Sequence, residues 1–352
     1  MKAFYFKHLL KFKIPGVTSR GVLKSKISWF IFIINEENYG IGECSLIEGL
    51  SPDPLFLFES KLKEVCSNIN LGFEEISKKI QDYPSILFGL ETAYLSYNNP
   101  NPFTLFKSNF TSGKKSIPIN GLIWMGEKSF MKEQIKDKIK NGFECIKIKI
   151  GALDFSLELD LLKSIRSEYS ERDIEIRLDA NGSFDFKKAL DKINKLSDFK
   201  IHSIEQPIDV NQWDEMALIC EKSPIDIVLD EELIGLNDIQ KQKKLLSEVK
   251  PSYIILKPSL IGGLKKSDKW IDLANSAGIK WWSTSALESN VGLNSISQWV
   301  FNKKSLLKQG LGTGMLYSNN INSPHYIEKG YFKYNPKYKW ETKLFDKYIH
   351  LK

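Results

Sequence analysis

The run CIKIK (145–149) ends in Lys149, and the same pattern, a short apolar run closed by a charged side chain, returns four more times: IEIRLD (174–179) to Asp179, HSIE (202–205) to Glu205, DIVLD (226–230) to Asp230 and YIILK (253–257) to Lys257. The closing charges stand 30, 26, 25 and 27 residues apart. Such a run followed by a helix-length amphipathic stretch is a βα unit, and five in succession predict parallel strands. Each charge then sits at the C-terminal end of a strand buried on both faces, where an ionised group is costly unless it points into a polar site. One Lys or Asp at a strand end is ordinarily a solvated terminus or a loop ion pair. Five at one repeat phase mark a site.

The phase extends in both directions. SIPINGLIW (116–124) precedes Lys149 by about one interval, IKWWSTS (279–285) follows Lys257 by one, and GLGTG (310–314) follows by another. Eight strand positions with intervening helices predict a closed α/β barrel of the (β/α)8 type, whose site lies at the C-terminal ends of the strands. An open doubly wound sheet is the alternative, but it ordinarily carries a GxGxxG turn after its first strand, and none follows here.

The chain before the repeats reads differently. Residues 3–13 and 27–34 alternate or run apolar, NEENYG (35–40) supplies a turn, and GIGEC (40–44) reads as a third strand, predicting an antiparallel meander. Helical spacing follows over 53–70, 73–81 and 84–97, with Asp53-Pro54 and Tyr83-Pro84 as helix starts. The expected organisation is an α+β unit over 1–100, a linker over 101–116, the barrel over 117–317, and a Tyr-, Phe- and Lys-rich segment over 318–352 that packs back on the first unit.

Composition narrows the function classes. The chain is 42% hydrophobic and 26% charged, as ordinary globular proteins are. Its net charge of +7 comes almost wholly from Lys, since only Arg20, Arg166, Arg172 and Arg177 are arginines. That is poor equipment for bidentate reading of nucleic acid, so a solvated lysine surface and no nucleic-acid partner are expected. Cys44, Cys66, Cys145 and Cys220 lie far apart without a CxxC pair, as free thiols in a reducing compartment do. No segment has the length of a membrane span, and MKAFYFKHLLKFK (1–13) lacks the uninterrupted apolar stretch of a signal peptide, so a cytoplasmic protein with no membrane partner is expected.

Asp179, Glu205 and Asp230 end consecutive strands and converge on the barrel mouth. Three crowded carboxylates repel one another unless a cation holds them, and oxygen ligation without His or Cys suits Mg²⁺ or Mn²⁺. His8, His325 and His350 lie off the barrel strands, and His202 starts one, so no histidine site is expected. Lys147 and Lys149, two apart, face the barrel interior together, and Lys257 faces them from across the barrel. An ammonium near a divalent cation or a second ammonium has its pKa lowered and can serve as a base. The set suits proton abstraction beside a carboxylate with a metal stabilising the enediolate, on a small-molecule carboxylate substrate. Glu231 is expected in a supporting position and Glu232 outward or solvated. Asn181 either orients a metal-bound water or turns the chain. Two readings from other classes stay open: a Schiff-base aldolase, which leaves the carboxylates without a purpose, and a non-catalytic barrel, which would ordinarily have lost one of the five charges.

KIKIG (147–151), LDANGSF (178–184), IEQP (204–207), LDEEL (229–233), LKPSLIGG (256–263) and STSALESNVGLN (283–294) together resemble the muconate-lactonising branch of the enolase superfamily, and within it the o-succinylbenzoate synthases of menaquinone biosynthesis. The resemblance covers the barrel and implies an enolase-like modified TIM barrel beneath an N-terminal α+β capping domain. It implies Lys149 as the general base that later returns its proton to the departing hydroxyl, Lys257 as the cation across the ring, and Lys147 as an assistant to the base or a contact to the carboxylate. Asp179, Glu205 and Asp230 would bind Mg²⁺, with Mn²⁺ as a possible substitute. By the same analogy residues 18–23 and 45–52 are lid loops, with Arg20, Leu46, Ile47 and Leu50 toward the substrate, and Ser283, Ser285, Ser289, Asn290, Gly312 and Gly314 line the far end. The implied reaction is dehydration of 2-succinyl-6-hydroxy-2,4-cyclohexadiene-1-carboxylate. N-succinylamino acid racemisation and dipeptide epimerisation on the same scaffold are the alternatives, and Glu288 is the nearest acid to hold a dipeptide's amino group.

Overall fold

The computed structural model describes residues 1–18 and 21–346, and of Val17 and Thr18 the backbone only. Arg20, expected toward the substrate, therefore lies outside the described residues. The chain opens with β1 (Lys2–Thr18), β2 (Gly21–Ile34) and β3 (Tyr39–Ser45), an antiparallel meander in the order β1-β2-β3. Strand β2 reads as a nearly continuous apolar run because both its faces are covered. Trp29, Ile31 and Ile33 pack on the helices α1 (Phe58–Ser67), α2 (Phe73–Lys79) and α3 (Pro84–Tyr97). Phe30 and Phe32 turn the other way, onto Phe103, Ile321 and Phe345. Helix α3 lies almost directly on β3: a Cβ on Gly42 would stand 1.9 Å from the Gly89 carbonyl oxygen, and one on Gly89 would stand 2.3 Å from Cys44 Sγ.

Pro84 opens α3 as expected, but Asp53 opens no α-helix. Its buried carboxylate instead accepts from the Ser85 backbone N–H (3.1 Å) and hydroxyl (2.6 Å) at the start of α3, while a short 3-10 turn over Leu55–Leu57 leads into α1.

The barrel region alternates. After β4 (Ile117–Pro118) come β5 (Gly121–Ile123), α4 (Lys128–Lys140), β6 (Cys145–Lys149), α5 (Phe155–Glu168), β7 (Glu175–Asp179), α6 (Phe186–Ser197), β8 (Ser203–Glu205) and α7 (Trp213–Lys222). Then follow β9 (Asp226–Leu229), α8 (Ile239–Val249), β10 (Tyr253–Leu256), α9 (Pro258–Ile261), α10 (Leu264–Ser276), β11 (Lys280–Ser283) and α11 (Asn290–Asn302). The sheet is parallel in the order β5-β6-β7-β8-β9-β10-β11. Alternate residues such as Ile146, Ile148, Ile176, Leu178 and Ile204 point outward into one core with the helices. Asp154, Asp185, Asp238 and Ser289 cap α5, α6, α8 and α11 by accepting backbone N–H groups of the first turn.

The eighth strand position differs from expectation. GLGTG forms no strand: Gln309 and Gly310 make single bridges to Ile119 and Thr284, and a 3-10 turn follows over Gly312–Leu316. A Cβ on Gly310 would meet Thr284 Oγ1 at 2.0 Å, so the chain passes close there without extending a ladder. The run 116–124 also divides, because β4 pairs antiparallel with β13 (Tyr331–Tyr334), itself paired with β12 (His325–Glu328), and only β5 joins the parallel sheet. Beyond the barrel, Phe12 bridges Tyr317 and Phe345 packs among Phe6, Phe30 and Phe32, so the two ends of the 317–345 segment lie against the N-terminal sheet, while β12 and β13 between them pair with β4.

Candidate active site

Register builds the site. Lys149 is level with Asp179, and Asp179 with Glu205, so one row crosses β6, β7 and β8. Asp230 and Lys257 each follow directly on the end of their strand, β9 and β10. The three carboxylates are no more than 2% exposed, and each is interleaved with ammonium groups. Lys147 Nζ lies 2.9 Å from Asp179 and 2.6 Å from Glu205. Lys149 Nζ donates to Asp179 (3.0 Å) and to Asn181 Oδ1 (2.7 Å), and Lys257 pairs with Asp230. Asn181, held at a positive φ of 44°, donates from its amide nitrogen to Glu231 (2.9 Å). Its oxygen is thereby aimed at the lysine, which gives the turn at Asn181 a positioning task.

Burial raises the Asp179 and Asp230 carboxyls, but the surrounding lysines outweigh it and hold both below the usual carboxylate range. Glu205 goes the other way: burial and the neighbouring Asp179 charge push it well up despite Lys147. Lys147 and Lys257 also depart from expectation. Burial favours their neutral forms, yet the facing carboxylates dominate and raise both pKa values. The lowering expected from the sequence needs a cation that competes for those carboxylates.

Among the described residues no three Asp, Glu, His or Cys side chains stand ready in ligand geometry, because lysine ammoniums hold the carboxylate oxygens. The donor set nevertheless fits a hard divalent cation. It has three carboxylates from adjacent strands, with one of them, Glu205, under strong repulsion from its neighbours. Gln206 ties the set together and was missed from sequence. Fully buried with φ 40°, it accepts from the Asp230 and Glu232 backbone N–H groups (3.2 and 3.3 Å). Its only signal was an amide directly after a strand-end carboxylate.

Above the row lies a cavity of about 820 Å³, in the range of small-molecule sites. Lys147, Lys149, Asp179, Asn181 and Lys257 line its floor, and Ser285 and Gly312 its wall. From the N-terminal sheet and the loop after β3, Val22 and Ile47 cover it, joined by Lys13, Ile14 and Glu48, which sequence reading did not single out. Thr313 was also missed; its hydroxyl donates to Ser285 Oγ at 2.6 Å.

Several expected residues are placed elsewhere. Leu46 is buried in the core between the N-terminal sheet and its helices, and Leu50 does not reach the cavity. Ser283 stitches the barrel, donating to the Leu256 carbonyl (3.0 Å). Ser289 caps α11 and bonds Glu43, Asn290 holds the 320–321 segment, and Gly314 packs against Asn290. Glu232 is buried, not solvated: it accepts from the Asn211 N–H (2.9 Å) and Trp213 Nε1 (2.6 Å) because the loop after β8 needs an acceptor there. Glu288 is also fully buried, bonded to Ser259 and Ser285, and takes no part in the cavity wall.

Comparison with known proteins agrees with this geometry. Residues 130–335 match the family described as Enolase C-terminal domain-like. The o-succinylbenzoate synthase of Desulfotalea psychrophila is 43% identical, over 94% of this chain and 98% of its own. The crystal structure of MenC from that organism superposes with a TM-score of 0.87 at 40% identity, covering 95% of this chain and 99% of that one. A dipeptide epimerase from Enterococcus faecalis, complexed with Mg and L-Leu-L-Tyr, shares the fold (TM-score 0.82, 20% identity, 95% and 96% covered). So does the muconate lactonizing enzyme of Pseudomonas fluorescens (TM-score 0.81, 19% identity, 98% and 97% covered). A modified TIM barrel under an antiparallel cap, a family match over more than half the chain and a near full-length relative at 43% identity lead to one conclusion: this chain belongs to the enolase superfamily, in its muconate-lactonising branch.

Proposed function

We propose that the protein is a carbon–oxygen lyase catalysing the o-succinylbenzoate synthase reaction, loss of water from 2-succinyl-6-hydroxy-2,4-cyclohexadiene-1-carboxylate to give 2-succinylbenzoate. The observation that carries the reading is the row of interleaved lysines and carboxylates at the floor of a covered cavity, in a chain with a near full-length synthase relative. Lys149 in its neutral form takes the proton from the ring carbon that bears the carboxylate. Asn181 and Asp179 fix where its nitrogen stands. Lys257, from the other side of the row, places a cation beside the enediolate whose charge develops as that proton leaves. The same Lys149 ammonium then gives its proton to the departing hydroxyl on the adjacent carbon, a syn elimination that releases water as the ring becomes aromatic. Lys147, bridging Asp179 and Glu205, holds the row together and lies near the substrate carboxylate.

Asp179, Glu205 and Asp230 would hold Mg²⁺, for which Mn²⁺ would substitute. When bound, the ion supplies positive charge where the enediolate accumulates negative charge. Ile47 and Val22 exclude water above the ring. Dipeptide epimerisation fits less well, since Glu288, the acid nearest for a substrate amino group, is sequestered by Ser259 and Ser285. By this reading the protein acts in menaquinone biosynthesis, in the cytoplasm; among the described residues no helix is long and apolar enough to cross a membrane. The test is turnover of the cyclohexadiene substrate with and without Mg²⁺, followed by the ultraviolet change on aromatisation. Mg²⁺-dependent turnover is expected, and an inert protein refutes the reading.

A further inference from the structure

The cavity does not end at the reacting row. It continues sideways past Thr284 and Gly312, between β5 and the 3-10 turn that stands where an eighth strand would pair, to a groove between α4 and the β12–β13 turn. Two features hold that passage open. The chain at 309–310 makes only single bridges to its neighbours, so no ladder closes the seam beyond them. Gly312 puts no side chain into the seam, and even a Cβ there would come no nearer than 3.8 Å to Ile119 and Ile327.

At the outer end of this arm lies Lys138 of α4. Gly121, lacking a side chain, lets it lie across β5, with its Cδ 3.0 Å from where a Cβ would stand. The side chain is half-buried, and among the described residues its ammonium makes no ion pair or hydrogen bond; it lies 5.2 Å from the centre of the Phe143 ring. Burial lowers its pKa, with the nearby Asp137 opposing only in part, as for a cation poorly compensated where it stands. Phe143 and Ile327 add apolar surface at this end of the cavity. A cation withdrawn from water beside apolar walls is complementary to an anion carried on an apolar body.

We propose that this lateral arm is a second binding site, continuous with the active site, for a carboxylate borne on an aromatic or aliphatic body, with Lys138 as the carboxylate's partner. The identity of the natural ligand rests on the functional reading above: the product, an aryl carboxylate with a second carboxylate on a flexible chain, has this chemistry. Product in the arm leaves the reacting row accessible and slows departure of the next product. Its inhibition is therefore not purely competitive with substrate.

Equilibrium dialysis of labelled benzoate against the intact protein tests the site without reference to turnover. The wild-type protein is expected to bind one more benzoate per chain than Lys138→Met, which keeps the packing on Gly121 and loses the charge. Affinity at the arm should fall roughly tenfold or more, the effect of losing a charge-assisted hydrogen bond. Lys136→Met, an exposed neighbour on α4 outside the cavity, should bind as the wild type does. Equal stoichiometry and affinity in wild type and Lys138→Met overturns the proposal. In kinetics, 2-succinylbenzoate should show a noncompetitive component that Lys138→Met loses while initial turnover is kept. A protein inert toward the cyclohexadiene would sink the functional reading alone, and the benzoate result would still decide the site.

Discussion

His325 is the group whose pH response follows most directly from its surroundings. It sits on β12, partly buried among the rings of Phe110, Phe332, Tyr334 and Trp340. Nδ1 lies 3.1 Å from Ser323 Oγ, and Nε2 is buried with no hydrogen-bond partner. Burial drives its pKa from 6.5 down to about 3, so the folded protein keeps the ring neutral where the unfolded chain would protonate it. The unfolded state then binds more protons between those two values. The stability that the neutral ring carries is complete above pH 6.5 and is lost as pH falls toward 3. At about 1.4 kcal/mol per pH unit, linkage gives roughly 2 kcal/mol lost between pH 7.5 and 5.0. His325→Phe keeps an aromatic ring in the stack and removes the titration. Urea unfolding of both proteins at the two pH values should show the wild type losing roughly 2 kcal/mol more than the variant. Other titrating groups are common to both and cancel in that difference. Parallel pH dependences would refute the reasoning and mean that the ring is solvated or paired when protonated.

The remaining expectations concern the site and the cap. Lys149→Ala should lower turnover by a factor of roughly 10²–10⁴ while circular dichroism stays native, because Lys147 still pairs with Asp179 at 2.9 Å. The same variant should lose exchange of the ring α-proton in D₂O, and retained exchange would move the base elsewhere. Asp230→Ala should weaken Mg²⁺ binding in calorimetry as well as rate, and full activity of protein stripped with EDTA would remove the metal assignment. Gly89→Ala should destabilise by roughly 1–3 kcal/mol, since its methyl would stand 2.3 Å from Cys44 Sγ. An unchanged melting temperature would show that α3 can shift off β3 without cost.

What the sequence determined by itself was the barrel and the row of charges. A charge that ends a doubly buried strand is a local feature, visible in a few residues, and its recurrence at a near-constant interval sets the topology. Lys149, Asp179, Glu205, Asp230 and Lys257 were legible for that reason, and Lys147 because it stands two residues before Lys149 on the same face. Only the tertiary structure decided what surrounds them. Glu232 and Glu288 read as free acids until the segments carrying Asn211, Ser259 and Ser285 folded onto them. Gln206 acquired its task because the turn after the neighbouring strand β9 brought two backbone N–H groups to it. Ser289 and Gly314 turned from candidate ligand contacts into packing and capping. The eighth strand dissolved into a bridge and a turn, and the seam it leaves opens the lateral arm. Strand ends follow from periodicity along the chain, whereas the partners of a polar side chain come from segments remote in sequence, and spacing alone carries no information about which of them will meet.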